Sequence, residues 1–131
     1  MCKLVKITNS LGEQIEVAEI KADTIKKIIE IAKICDKIDY IYLFGSSVEE
    51  RCTDESDIDL AIISNVSASK LCNRSSYREF KERLYAIDTD QEYDRLQFNS
   101  LKAIRNSKEP VCLDIISKGK LLYQREGISY V

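Results

Sequence analysis

At 131 residues the chain has room for one ordinary domain around a single core, and 44% hydrophobic with 32% charged residues excludes disordered or collagen-like architectures. Its 20 Lys and Arg against 22 Asp and Glu leave a net charge of -2, with no basic run able to track a phosphate backbone, so extended nucleic-acid binding is not expected. The chain has no histidine, and Cys2, Cys35, Cys52, Cys72 and Cys112 form no C-x-x-C pair, which disfavours zinc and points to reduced thiols in a cytoplasmic protein.

The N-terminus "MCKLVKITNS" mixes charged with apolar residues and offers no signal-peptide core, and no stretch approaches the roughly 18 apolar residues of a membrane span. Val5 and Ile7, then Ile15 and Val17, stand at strand spacing around the turn-forming Asn9-Ser10-Leu11-Gly12, which predicts a β-hairpin. Asp23 is placed to cap a helix whose apolar face is Ile25, Ile28, Ile29, Ala32 and Cys35. The runs "DYIYLF" (39 to 44) and "IDLAII" (58 to 63) read as buried strands and sheet neighbours. A connection containing Ser and Asn leads to "SYREFKERLYAI", with Tyr77, Phe80, Leu84 and Ile87 on one helical face. In "EYDRLQFN" the alternation returns, setting Tyr93, Arg95 and Gln97 against Asp94, Leu96 and Phe98. The remainder predicts a helix from about Ser100, a second helix beginning near Pro110, and a short strand after Lys118-Gly119. Together these elements predict an α/β or α+β domain of two layers, a small mixed sheet with helices packed against it, over residues 1–131.

The stretch "LFGSSVEERCTDESDIDLAII" holds the chemistry. Side chains alternate along a strand, so Asp57 and Asp59 share one face while Ile58 points into the core. A lone D-x-D reads more readily as a solvated polar turn than as a ligand pair. The element upstream tips the balance: a buried strand ends in Gly45-Ser46, where a residue without Cβ lets backbone amides approach an anion and a hydroxyl adds a donor. Two repelling carboxylates are best reconciled by a hard cation such as Mg²⁺ or Mn²⁺, and a phosphate binder facing such a clamp describes a nucleoside triphosphate site.

Ten residues, 47 to 56, separate Ser46 from Asp57, giving the pattern G-S-x10-D-x-D. With the apolar "YLF" before it, the serine in "SDIDL" and the continuation "AII", this stretch resembles the nucleotidyltransferase superfamily with the DNA polymerase β-like fold. Its nearest likeness is to the small minimal nucleotidyltransferases. The resemblance continues to "ISKGKLLY", which looks like the family's closing helix-to-strand turn, and spans about residues 23–124, leaving residues 1–20 as a hairpin extension.

The resemblance implies transfer of a nucleoside monophosphate, AMP, from an NTP, ATP, to a hydroxyl acceptor. It implies divalent metal on Asp57, Asp59 and a third carboxylate, with Gly45, Ser46, Ser47 and Ser56 at the nucleotide. Asp94 is assigned as the third carboxylate because it lies within a strand pattern, whereas Asp88 and Asp90 read as solvated loop acids. Many minimal nucleotidyltransferases continue the Gly-Ser with an Arg-Ala-Arg-Gly-like run, but here Ser47, Val48, Glu49 and Glu50 stand there, and only Arg51 follows to offset the acids. The family also implies a partner, a small helical HEPN-type protein, and a role as the antitoxin of such a pair. The alternative is a catalytically weak or inactive member that works by binding a partner or a nucleotide.

Overall fold

The N-terminal alternation becomes a hairpin in the computed structural model, which describes residues 1–128. Strands β1 (Leu4–Thr8) and β2 (Gln14–Ala18) pair antiparallel with Val5 opposite Val17 and Ile7 opposite Ile15, around a turn where Gly12 takes φ +81°. Asn9 organises that turn: its Oδ1 accepts from the amides of Leu11 and Glu13, and its Nδ2 donates to the Leu121 carbonyl at 3.0 Å.

Helix α1 (Ala22–Ile31) buries Ile25 and Ile28 and tightens into a 3-10 turn over Ala32–Ile34. Asp23 does not cap it. The N-cap position falls on Lys21, and Asp23 sits inside the first turn, where a carboxylate complements the helix dipole without accepting a capping bond. Strands β3 (Ile38–Phe44) and β4 (Ile58–Ser64) pair antiparallel, as neighbours should. The connection after β4 holds a short helix α2 (Ala68–Cys72) that the sequence did not reveal, because five residues are too few to display a period; Ser67 caps it by accepting from the Lys70 amide. Helix α3 (Ser75–Ile87), strand β5 (Tyr93–Phe98), helices α4 (Leu101–Asn106) and α5 (Pro110–Lys118) and strand β6 (Lys120–Gln124) complete the described chain. No helix among the described residues is long and apolar enough to cross a membrane.

The main sheet runs β5-β4-β3-β6, parallel between β4 and β5 and antiparallel elsewhere. Its strands bury both faces. Ile41, Leu43, Ile58, Leu60 and Ile62 meet α1, α3 and the hairpin residues Ile7 and Val17, whereas Tyr40, Phe44, Ala61 and Ile63 meet Ile104 of α4 and Cys112 and Ile115 of α5. The two-layer expectation is therefore corrected to a sheet between helices: α4 and α5 are short, yet they cover the apolar second face that a strand such as "LAII" exposes by alternation.

Candidate active site

Strand β3 ends at Phe44, the register partner of Asp59, so the Gly-Ser turn and the start of β4 lie side by side at one end of the sheet. Gly45 opens a 3-10 turn (Gly45–Val48) with φ +71°. A Cβ at this position would collide with Oδ2 of Asp59 and stand 3.1 Å from its Cγ. Glycine is thus required twice, for a left-handed backbone and for the space that the Asp59 carboxylate occupies. The turn is buried: Ser46 keeps 8% exposure and Ser47 none. Ser47 Oγ is one of the buried side-chain oxygens among the described residues without a hydrogen-bond partner.

Asp57 lies exposed just before β4, and Asp59 is half-buried as the second residue of that strand. The parallel register sets Asp94 of β5 directly beside Asp59 and Tyr93 beside Ile58. Register partners share a face, so Asp94 stands on the side of the sheet that carries Asp59. The Asp59 carboxyl is pushed up to about 6 by burial first, then by the negative charges of Asp94 and Asp57, with Arg51 opposing. Asp88 and Asp90 are exposed and tied to each other, the Asp90 amide donating to Asp88 Oδ1 at 3.0 Å. Among the described residues no three His, Cys, Asp or Glu side chains close into a ready-made metal cage.

Between Ser47 and Asp57 the loop carries its own charge balance. Arg51 forks onto Glu49, Nε to Oε2 at 3.1 Å and Nη2 to Oε1 at 3.2 Å, and this bond lowers the Glu49 pKa. The same guanidinium lies in electrostatic range of Asp59 and of Asp114 on α5, while Lys118 on α5 reaches Glu49. Glu50 is exposed, and its carbonyl accepts from the Cys2 amide at 2.8 Å. Ser56 Oγ accepts from the Thr53 amide at 3.0 Å and so fastens the turn that leads into Asp57.

Two residues that the sequence did not mark sit behind this loop. Lys21 is 3% exposed and donates to the Asp54 carbonyl at 3.0 Å and to Gln91 Oε1 at 2.6 Å. Gln91 in turn donates to the carbonyls of Ser56 and Glu92 at 3.0 and 2.7 Å. Nothing local announces them: a lysine before a helix and a glutamine before a strand are ordinary surface residues until the fold buries both.

Residues 26–127 match the polymerase beta, nucleotidyltransferase family. The chain belongs to this family. The nucleotidyltransferase fold also recurs in solved structures. A crystal structure of the toxin–antitoxin MntA–HpeT with two aspartate-to-glutamate substitutions matches at 21% identity and TM-score 0.53, over 78% of this chain and 74% of that one. A toxin–antitoxin crystal structure with AMP-PNP matches at 22% identity and TM-score 0.51, over 79% and 73% of the respective chains. A more distant likeness, at 22% identity and TM-score 0.48 over 80% and 73%, is a tri-AMPylated Shewanella oneidensis HEPN toxin in complex with MNT antitoxin. No curated protein matches the chain significantly. The hairpin and Lys21 precede the part of the nucleotidyltransferase that matches the family.

Proposed function

We propose that this nucleotidyltransferase transfers AMP from ATP to a hydroxyl group on a small helical HEPN-type partner and acts as the antitoxin of that pair. The observation that carries the reading is the meeting of Gly45 with Asp59, beside Asp94 and close to Asp57, at one end of the sheet. Membership of the family and the fold shared with toxin–antitoxin structures, one of them with AMP-PNP, support it.

The donor set fits a hard divalent cation, Mg²⁺ or Mn²⁺: three carboxylates, no histidine, and an Asp59 whose pKa is raised by burial first and then by the negative charges of Asp94 and Asp57. Asp57, Asp59 and Asp94 would hold it, and when bound it would neutralise phosphate charge and acidify the attacking hydroxyl. The chain's own residues do the rest. Gly45 and Ser46 present backbone to the phosphates, Ser47 Oγ is an unused donor beside them, and Ser56 fixes the turn before Asp57. As the acceptor oxygen bonds to the α-phosphorus, the bridging bond to the β-phosphate breaks and pyrophosphate leaves. The hydroxyl proton passes to a carboxylate oxygen of Asp94, the exposed acid at the strand edge. Residues 1–131 would form one domain of the cytoplasm, a core over 23–124 with the 1–20 hairpin as its extension.

The weak or inactive alternative rests on the acids after the Gly-Ser turn, and the Arg51 fork on Glu49 removes half of its support. Purified protein with Mg²⁺, α-labelled ATP and a small helical HEPN-type protein decides between them. Label on the partner, lost in Asp57→Asn, is expected. Binding of ATP with Mg²⁺ but no label on the partner would move the assignment to a binding protein, and no binding at all would sink both.

A further inference from the structure

We propose that Lys21 and Gln91 are positioning residues of the transfer site, setting the separation of Asp57 and Asp59 from Asp94; this rests on the reading of those acids as metal ligands. Lys21 is a buried cation whose hydrogen-bond acceptors are both neutral oxygens. A buried charge without a carboxylate partner is unfavourable, and a plain core position would be filled better by an apolar residue. What the charge holds is specific. One bond fixes the Asp54 carbonyl, three residues before Asp57, and the other orients Gln91, three residues before Asp94.

Gln91 then closes the ring. Its amide nitrogen binds the carbonyls of Ser56 and Glu92, and the Glu92 carbonyl also accepts from the Ile58 amide at 3.0 Å. The residues immediately before Asp57 and the entry to β5 are therefore clamped to one side chain, which is clamped to one cation. From the hairpin, the Cys2 amide grips the same loop at Glu50.

The test compares Mn²⁺ binding, in the presence of ATP, for the wild type and for Lys21→Met, Gln91→Met, the double variant and Lys21→Arg, using electron paramagnetic resonance. Each single methionine variant should weaken Mn²⁺ roughly tenfold or more, as loss of outer-shell support does. The double variant should be no weaker than the worse single one, because both cut the same ring. Lys21→Arg, which keeps a charged donor, should recover most of the affinity. Hydrogen exchange supplies the second reading: amides of 50–58 should exchange faster in the methionine variants while those of α3 do not change. If Lys21→Met does not fold, Gln91→Met, which keeps the bond to Asp54, carries the test. Folded variants with wild-type Mn²⁺ affinity would overturn the positioning role and leave the metal site standing, and failure of both variants to fold would make the pair ordinary core. A wild type that binds no Mn²⁺ would overturn the metal-site reading itself.

Discussion

Asp59 carries the sharpest expectations for pH. Its folded pKa of about 6 lies above the ordinary 3.8, so between these values the folded chain binds the proton that the unfolded chain releases. The contribution of this group to stability is therefore fully present below 3.8, declines as pH rises towards about 6, and stays lost above it. Asp59→Asn should be neutral or stabilising, by on the order of 1 kcal/mol after solvent screening, at pH values above that window, and the difference should vanish below it. Divalent-ion binding has the opposite sign, since it needs the carboxylate: Mn²⁺ affinity should fall about tenfold per pH unit below the Asp59 pKa. Thermal melts and Mn²⁺ titrations across the window check both, and a flat Mn²⁺ affinity would remove Asp59 from the ligands. Gly45 makes a separate claim. Gly45→Ala should cost about 1–3 kcal/mol through its positive φ and its collision with the carboxylate. Asp59→Ala should relieve the collision, so the two substitutions together should cost less than their sum. Additive losses in a double-mutant cycle would mean that the collision is avoided by local adjustment.

Among the elements, the loop of 49–57 would decide, in the proposed reaction, how much charge meets the nucleotide. In sequence Glu49 and Glu50 oppose a triphosphate, but the fork from Arg51 neutralises Glu49 and leaves Glu50 exposed. Glu49→Gln should free the guanidinium and tighten binding of ATP roughly three- to tenfold at low salt, the gain disappearing as ions screen it. Calorimetric titration at two salt concentrations checks this, and unchanged affinity at low salt would place Arg51 outside phosphate reach. Copying the family's arginine to position 47 is a different matter: Ser47 has no exposure, so Ser47→Arg would bury a cation and unfold the turn instead of improving the site. Helix α3 gives the plainest packing expectation. Phe80 is fully buried and lies 6.0 Å from Tyr77 between ring centroids, so Phe80→Ala should cost about 3–5 kcal/mol by denaturant titration. A loss below about 1 kcal/mol would show that the site collapses around the smaller side chain.

Across the whole molecule, the sheet is the shared wall of two cores, and the hairpin contributes Ile7 and Val17 to the first of them. Unfolding should accordingly be one transition. Val17→Ala in the hairpin and Ile115→Ala on the opposite face should lower the same midpoint, the latter by about 2–5 kcal/mol, with near- and far-ultraviolet circular dichroism remaining coincident. A separate early transition confined to Val17→Ala would show that the hairpin folds apart from the rest.

Periodicity was enough for the hairpin, α1, α3 and the strands, because an amphipathic segment records its buried face in its own order of residues. The same local rule led to the expectation that Asp57 and Asp59 share a face, but Asp57 stands one residue before β4 begins, so strand alternation fixes Asp59 alone. The sequence was silent on α2, on the second core, and on Lys21 with Gln91. Those two are 70 positions apart, and a hydrogen bond between them leaves no trace in the pattern around either one. The pairing of Asp59 with Asp94 is intermediate: the strand "YDRLQF" fixes which face Asp94 takes relative to its neighbours, but only the parallel register with β4 sets it beside Asp59. Local order thus determined the faces of the elements. The contacts between distant segments decided which charges were buried, which were paired, and which were left exposed at the end of the sheet.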